Sequence, residues 1–225
     1  MSYPILDIPF AAPEDSSRRL ADRRALVTSA DSELGRTVAV AFAREGANVA
    51  ISFAAEASVH GELTAQLVRD AGGRVVTIQG EMTDPRFDER LVAEAARVLG
   101  GVDVLVVVPH VDQNSVANPV DVALEQNVYP LFRLAKSAES LMDPGSTIIT
   151  TNPVPAEMTL SGNEANAGVE TITTSLAARL RPLGVTVNGV APSTQSADAA
   201  AVASAYVYLA SAEAAGTTGQ MLVVA

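Results

Sequence analysis

Arg24-Ala25-Leu26-Val27-Thr28-Ser29-Ala30-Asp31-Ser32-Glu33-Leu34-Gly35-Arg36-Thr37-Val38-Ala39-Val40-Ala41-Phe42 is the stretch that decides the fold. Its short apolar start reads as a buried strand. A small polar turn follows, and then Leu34, Val38 and Phe42 recur every four residues, which is a helix spacing. A second apolar strand runs from Val49 to Phe53. Strand, turn, helix and strand in so few residues form the opening βαβ unit of a doubly wound sheet. In such units a glycine-rich turn receives a dinucleotide pyrophosphate. Here the turn holds a single glycine, Gly35, and carries a carboxylate, Glu33.

The remainder of the chain repeats the alternation. A helix from about Ala57 to Ala71, with Leu63 and Leu67, stops at Gly72-Gly73, a helix-ending signal. Strand three is expected at Val75–Ile78. Thr83-Asp84-Pro85 reads as a cap with proline at the first helical position. The helix beyond it places Phe87, Leu91, Ala95 and Val98 on one face. Strand four covers Val102–Val108, and a loop through Pro109 and Pro119 leads to a long helix with Leu124, Val128, Leu131, Phe132 and Ala135. Strand five is Thr147–Thr151, followed by a helix over about Glu164–Leu183 with Val169, Ile172, Leu176 and Leu180. Strand six is Val185–Val190. A last helix carries Val202, Tyr206 and Leu209, and a final strand spans Gln220–Val224. The expected architecture is α/β, a Rossmann-type doubly wound parallel sheet of about seven strands with helices on both faces. Residues 1–23, with Pro4, Pro9 and Pro13, read as an irregular arm, and residues 24–225 as one domain.

Composition narrows the function classes. The 225 residues are 48% apolar but only 4% aromatic, so the core is built from Ala, Val, Leu and Ile, as in sheets buried on both sides. A net charge of −11, from 26 acidic against 15 basic residues, argues against nucleic acid, which needs clustered Lys and Arg. There is no cysteine, which excludes disulfides, thiol catalysis and cysteine-ligated metal. No other metal-ligand pattern stands out. No apolar run approaches the roughly 20 residues needed to span a bilayer, and the first ten residues lack a signal-peptide pattern. The expectation is a cytoplasmic protein that uses neither membrane nor nucleic acid.

In this order the segments resemble the short-chain dehydrogenase/reductase family from Arg24 to Ala225. The resemblance rests on Asp31-Ser32-Glu33-Leu34-Gly35-Arg36, on Phe42 to Phe53, on Gly101-Val102-Asp103-Val104-Leu105-Val106 and on Asn127-Val128-Tyr129. Pro144-Gly145-Ser146-Thr147-Ile148-Ile149, Gly184 to Pro192 and Thr218-Gly219-Gln220 add to it. The Tyr3-Pro4 arm and the first helix are most similar to the bacterial branch with an extended N-terminus that includes glucose-dehydrogenase-like members.

What the resemblance implies for chemistry is carried over residue by residue, and most positions depart from the pattern. The family's cofactor turn, Thr-Gly-x-x-x-Gly-x-Gly, stands here as Thr28-Ser29-Ala30-Asp31-Ser32-Glu33-Leu34-Gly35. Thr28 and Gly35 match. Glu33 brings bulk and negative charge to the place of the middle glycine. Like charges about 5 Å apart at an effective dielectric of about 20 repel by ~3 kcal/mol. Turned outward, the same carboxylate would instead cap its helix. The Asn-Asn-Ala-Gly motif corresponds to Val107-Val108-Pro109-His110, and Glu81 stands where the family has an acidic residue near the adenine. Of the catalytic residues, Asn127 matches the helix asparagine. The serine falls at Asn152 or Pro153, and the Tyr-x-x-x-Lys pair at Gly162 and Asn166. Without the phenol and the amine no acid serves a substrate oxygen. Pro192-Ser193 replaces Pro-Gly, and the lobe that closes over substrate is short.

The rim beyond the strand ends holds Asp31, Glu33, Glu81, His110, Asp112, Asn152, Asn163 and Glu164. His110 is the candidate acid or base among them, since histidine is the side chain whose ordinary charge change falls near neutral pH; as a histidine beside a proline it also reads as a plain surface residue. Asn127 has a bland alternative too, bridging a helix bend.

Three readings follow. The preferred one is a non-catalytic member that binds a small-molecule ligand or a partner subunit, with NAD(P) binding impaired. The second is a non-redox lyase, isomerase or cyclase in the vacated pocket. The third is a weak or atypical NAD(P)-dependent oxidoreductase. The helix bearing Asn127 and the one after strand five correspond to those that resembling proteins use to form dimers and tetramers. Leu131, Phe132, Leu134 and Leu141 are read as apolar residues on more than one face, so a homo-oligomer is expected.

Overall fold

A computed structural model describes residues 18–82, 84–109, 124–152, 160–192 and 198–224, and of 160–165 only the backbone. Seven parallel strands form one sheet among these residues: β1 (Arg24–Val27), β2 (Asn48–Phe53), β3 (Arg74–Gln79), β4 (Val104–Val107), β5 (Thr147–Thr151), β6 (Thr186–Pro192) and β7 (Met221–Val224). Their order is β3-β2-β1-β4-β5-β6-β7. Six helices cross between them: α1 (Glu33–Arg44), α2 (Ser58–Asp70), α3 (Pro85–Leu99), α4 (Tyr129–Ala138), α5 (Leu160–Leu180) and α6 (Ala199–Ala210). The doubly wound parallel sheet expected from the sequence is the one observed, with strand ends shifted by one or two residues.

Alternation along the strands sends successive side chains to two cores. Val27, Val49, Ile51 and Ile149 face α1, α2 and α6, packing with Val38, Phe42 and Tyr206. Leu26, Leu105 and Ile148 face α3, α4 and α5, packing with Leu91, Leu134 and Leu180. Almost every β1, β4 and β5 side chain is buried; β4 is accordingly a continuous apolar run, while β5 buries three threonines beside its two isoleucines.

Three sequence expectations are corrected or refined by the structure. Leu63 is exposed and Leu67 only partly buried, because α2 turns Gly61, Thr64, Ala65 and Val68 inward. The cause is Gly61, where a Cβ would lie 2.3 Å from the Phe53 ring. The apolar residues expected on more than one face divide between core and surface, Leu131 and Leu134 being buried. Tyr129, Phe132 and Leu141 are the outward apolar residues. Finally, residues 18–23, the end of the expected arm, dock on the domain. Leu20 is fully buried, its N–H donates to Glu45 O, and Arg19 grips the Glu45 carboxylate at 2.6 Å. Residues 1–17 lie outside the described residues.

Candidate functional site

With all strands parallel, their carboxyl ends share one edge, and the order reverses between β1 and β4. Ligands of open α/β sheets bind at that crevice.

The turn after β1 is held by its own hydrogen bonds. Thr28 is fully buried; its hydroxyl accepts from Val108 N at 2.9 Å and donates to Val108 O at 3.0 Å. Ser29 adds a second hydroxyl to the same carbonyl at 3.0 Å. The two residues therefore clamp the end of β1 to the end of β4. Ser29 sits at φ +48°, a left-handed conformation that costs an L-residue about 1 kcal/mol and that glycine adopts freely. Its neighbour in space is Gly35, where a Cβ would stand 2.3 Å from Ser29 O and 2.9 Å from Ala30 Cα. Gly35 is thus demanded by the close approach of helix to turn.

The amino end of α1 is capped from within. Ser32 Oγ accepts from Gly35 N at 3.0 Å and donates to Ser29 O at 2.7 Å, so one of the four free N–H groups of this helix end is used. Glu33, the first helical residue, is exposed, where its charge suits the positive helix end. Arg36 reaches back to Asp31 O at 3.2 Å and to Thr64 Oγ1 at 3.1 Å. Thr64, wholly buried, donates to Ala30 O at 2.6 Å. Glu81 follows β3, half-buried, with its carbonyl accepting from Asp84 N.

Close by, Asp88 of α3 and Arg133 of α4 form an ion pair at 2.7 Å, and Arg133 also reaches Met82 O at 3.3 Å. Asp88 has no exposed side-chain surface. Burial pushes its pKa up to about 6, with the Arg133 hydrogen bond and charge pulling the other way.

Around β5 the side chains are amides. Asn152 is 5% exposed, and its Nδ2 donates to Glu170 Oε1 of α5 at 3.4 Å. Because a carboxylate only accepts, that bond fixes the amide's orientation and leaves Oδ1 as the other end. Asn166 and Glu170 are four residues apart and Thr173 three further, so one face of α5 lies along the β5 end. Thr173 bonds Thr150 at 2.8 Å. A Cβ on Gly168 would meet Val128 Cγ2 at 2.9 Å, so α5 is set against the π-helical turn Leu124–Val128 that carries Asn127. Asn127 is buried at this bend, and π-turns frequently mark functional positions. The buried oxygens Asp31 Oδ1, Asn152 Oδ1 and Asn166 Oδ1 have no hydrogen-bond partner among the described residues. All three are acceptors.

Asn152 thus meets the helix that carries Asn166, and the turn that carries Asn127 packs on the same helix, while Thr28 and Gly35 lie across the switch point. His110, Asp112, Pro153 and the side chains of Asn163 and Glu164 lie outside the described residues. Sequence reasoning missed Glu170, whose signal is its four-residue spacing from Asn166. It also missed the cap formed by Ser32, a serine immediately before the helix. Tyr206 does not supply the phenol that the resemblance places at Gly162. It is fully buried on the opposite face of the sheet, bonded to Thr151 at 2.7 Å, and burial pushes its pKa well above the ordinary range. Among the described residues no group of three or more His, Cys, Asp or Glu could hold a metal, and no helix is long and apolar enough to cross a membrane.

The family model described as enoyl-(acyl carrier protein) reductase matches residues 29–202. An uncharacterized oxidoreductase of Escherichia coli K12, YghA, is 35% identical over 187 residues, covering 78% of this chain and 63% of its own length. The Bacillus subtilis uncharacterized oxidoreductase YhxD is 36% identical, with 78% and 62% covered. The chain therefore spans a little under two-thirds of these relatives. Among solved structures, a dehydrogenase/reductase from Sinorhizobium meliloti superimposes with a TM-score of 0.82 at 26% identity, over 93% of this chain and 96% of that one. A Burkholderia cenocepacia short-chain dehydrogenase in complex with NADP gives 0.80 at 23% identity, over 92% and 97%. This chain belongs to the short-chain dehydrogenase/reductase family.

Proposed function

We propose that this member of the family no longer carries out hydride transfer with NAD(P) and acts by binding a ligand or a partner at the vacated rim. The observation that carries the reading is the corner of Asn127, Asn152 and Asn166. Where the resemblance puts serine, tyrosine and lysine, the chain has Asn152 or Pro153, Gly162 and Asn166. An amide does not titrate, and a glycine has no side chain to donate a proton. The chemistry a nicotinamide would supply, a hydride, needs a proton partner at the substrate oxygen, and these positions provide none.

The cofactor turn supports the same reading. A pyrophosphate wants N–H donors at the amino end of α1. There Ser32 already takes Gly35 N and Glu33 adds negative charge, while the unpartnered buried oxygens of the rim are all acceptors. These residues do not fit a dinucleotide diphosphate, so NAD(P) binding is read as impaired. The exposed Tyr129 and Phe132 on α4, each about half accessible, support a contact with a second copy.

A second reading, an NADP-dependent oxidoreductase, is favoured by the oxidoreductase names of the relatives and by the NADP complex of the Burkholderia structure. The two separate in an assay of the purified chain with NADPH and a panel of ketones and aldehydes, following cofactor absorbance. The proposal expects no turnover above background. Turnover on the order of 1 s⁻¹ or faster, ordinary for enzymes, would overturn it.

A further inference from the structure

The edge of the sheet opposite the rim holds a cavity of about 460 Å³. It lies where α6 ends, against the first residues of β5 and β6. Arg23, Thr147, Thr186, Leu209, Ser211 and Ala214 are among the residues around it.

Strand register sets its floor. Thr147 and Thr186 are paired neighbours on β5 and β6. Along β5, Ile149 faces the α6 side and Thr151 reaches Tyr206 of α6. By alternation Thr147 points the same way, and Thr186 with it, so two hydroxyl-bearing residues stand side by side beneath the end of α6. Thr147 is 2% exposed, and its Oγ1 has no hydrogen-bond partner among the described residues. A buried hydroxyl left this way is costly and calls for a partner.

Charge selects the kind of partner. Arg19, also at this cavity, is matched by Glu45. Arg23 makes no ion pair among the described residues; its Nη2 donates to Gly145 O at 3.0 Å and more weakly to Ala210 O at 3.5 Å. Both acceptors are neutral carbonyls, and Nε and Nη1 are not engaged by them. A planar guanidinium in this state suits a carboxylate. Leu209 and Ala214 supply an apolar wall suited to a short carbon chain.

We infer that this cavity at the amino-terminal edge of the sheet is a second binding site, for a small hydroxy acid. Its carboxylate meets Arg23, and its hydroxyl meets Thr147. The site is built from residues remote from the β1 turn and does not depend on whether the opposite rim binds a nucleotide.

The test is an amide-resolved NMR titration of the full chain with malate, succinate and glycerol. Malate should shift the Gly145, Thr147, Gly184 and Gly216 amides, leave those of Ala30, Ser32 and Gly35 in place, and bind more tightly than succinate, which lacks the hydroxyl. Glycerol, which lacks the charge, should leave the spectrum unchanged. Thr147→Val keeps the strand-compatible shape and should weaken malate at least about tenfold, as should Arg23→Gln, one hydrogen-bonded contact being worth roughly that much. The Val variant also removes an unpartnered hydroxyl, so its melting temperature should hold or rise, which keeps the test readable if Arg23→Gln fails to fold. No shift at these amides with malate, equal shifts with glycerol, or undiminished malate binding by Thr147→Val would overturn the inference.

Discussion

The β1 turn and the β5–α5 corner lie on the same rim, and both depart from the family pattern, but they do so differently. In the turn, the residues that survive are those that the framework demands. Thr28 clamps β4 through Val108, and Gly35 stands where any Cβ would strike Ser29 O at 2.3 Å. Even Ser29 keeps the left-handed backbone that glycine would adopt without strain. At the corner, the positions that the resemblance aligns with the reacting groups are Asn152 or Pro153, Gly162 and Asn166, and the buried oxygens of Asn152 and Asn166 have no partner among the described residues. Packing constrains a residue on every side, whereas chemistry constrains it only while the chemistry is used. The contrast is what a fold maintained without its reaction would show.

The largest effect is expected at Gly35. Gly35→Ala puts a methyl group into backbone atoms that cannot yield, and should cost about 3 kcal/mol in urea unfolding, at the upper end for overpacking. A loss below about 1 kcal/mol would mean that the turn is not held as tightly as described.

Next comes the buried pair beside Glu81. Asp88 has a folded pKa of about 6, raised from its ordinary value near 3.8. Between these values the folded state binds more protons than the unfolded one. Its contribution to stability is therefore full below about pH 4 and lost as pH rises through 6. Urea unfolding should show the chain losing at most about 3 kcal/mol from this group between pH 4 and 7. Asp88→Asn should flatten that slope, and an unchanged slope would contradict the assignment.

At the corner the sign should reverse. Asn166→Met replaces a helix-interior asparagine and removes an unpartnered buried acceptor, so thermal unfolding should show a gain of about 1 kcal/mol. A loss of that size would indicate that Asn166 is structurally engaged and would weaken the contrast.

The smallest effect concerns Ser29. Ser29→Ala loses the bond to Val108 O and keeps the strain, whereas Ser29→Gly loses the bond and relieves it. The Gly variant should be the more stable of the two by about 1 kcal/mol in paired melting curves.

Much of this was legible in the sequence. The helix period of Leu34, Val38 and Phe42, the apolar run of β4, and Asp84-Pro85 at the start of α3 each reflect a local rule, and the elements appear where those rules put them. The rotation of α2 was not legible, because Leu63 and Leu67 look like a core face until Gly61 meets Phe53 across space. Likewise nothing in Leu131 and Leu134 separates them from Phe132 without α3 beside them. The departures at Asn152 or Pro153, Gly162 and Asn166 could be read by resemblance, but not the pairing of Asn152 with Glu170, which depends on how α5 lies along β5. The amino-edge cavity was invisible, since it joins Arg23, Thr147 and Ser211 from distant parts of the chain.

If the dinucleotide site of this family member no longer works as one, calorimetric titration with NADPH and NADH should give no saturable heat for either nucleotide up to about 1 mM. Glu33→Gly should restore part of the affinity, by up to about tenfold for an exposed charge. Saturable binding of either nucleotide by the unmodified chain, with a dissociation constant of about 10 μM or below, would contradict that reading.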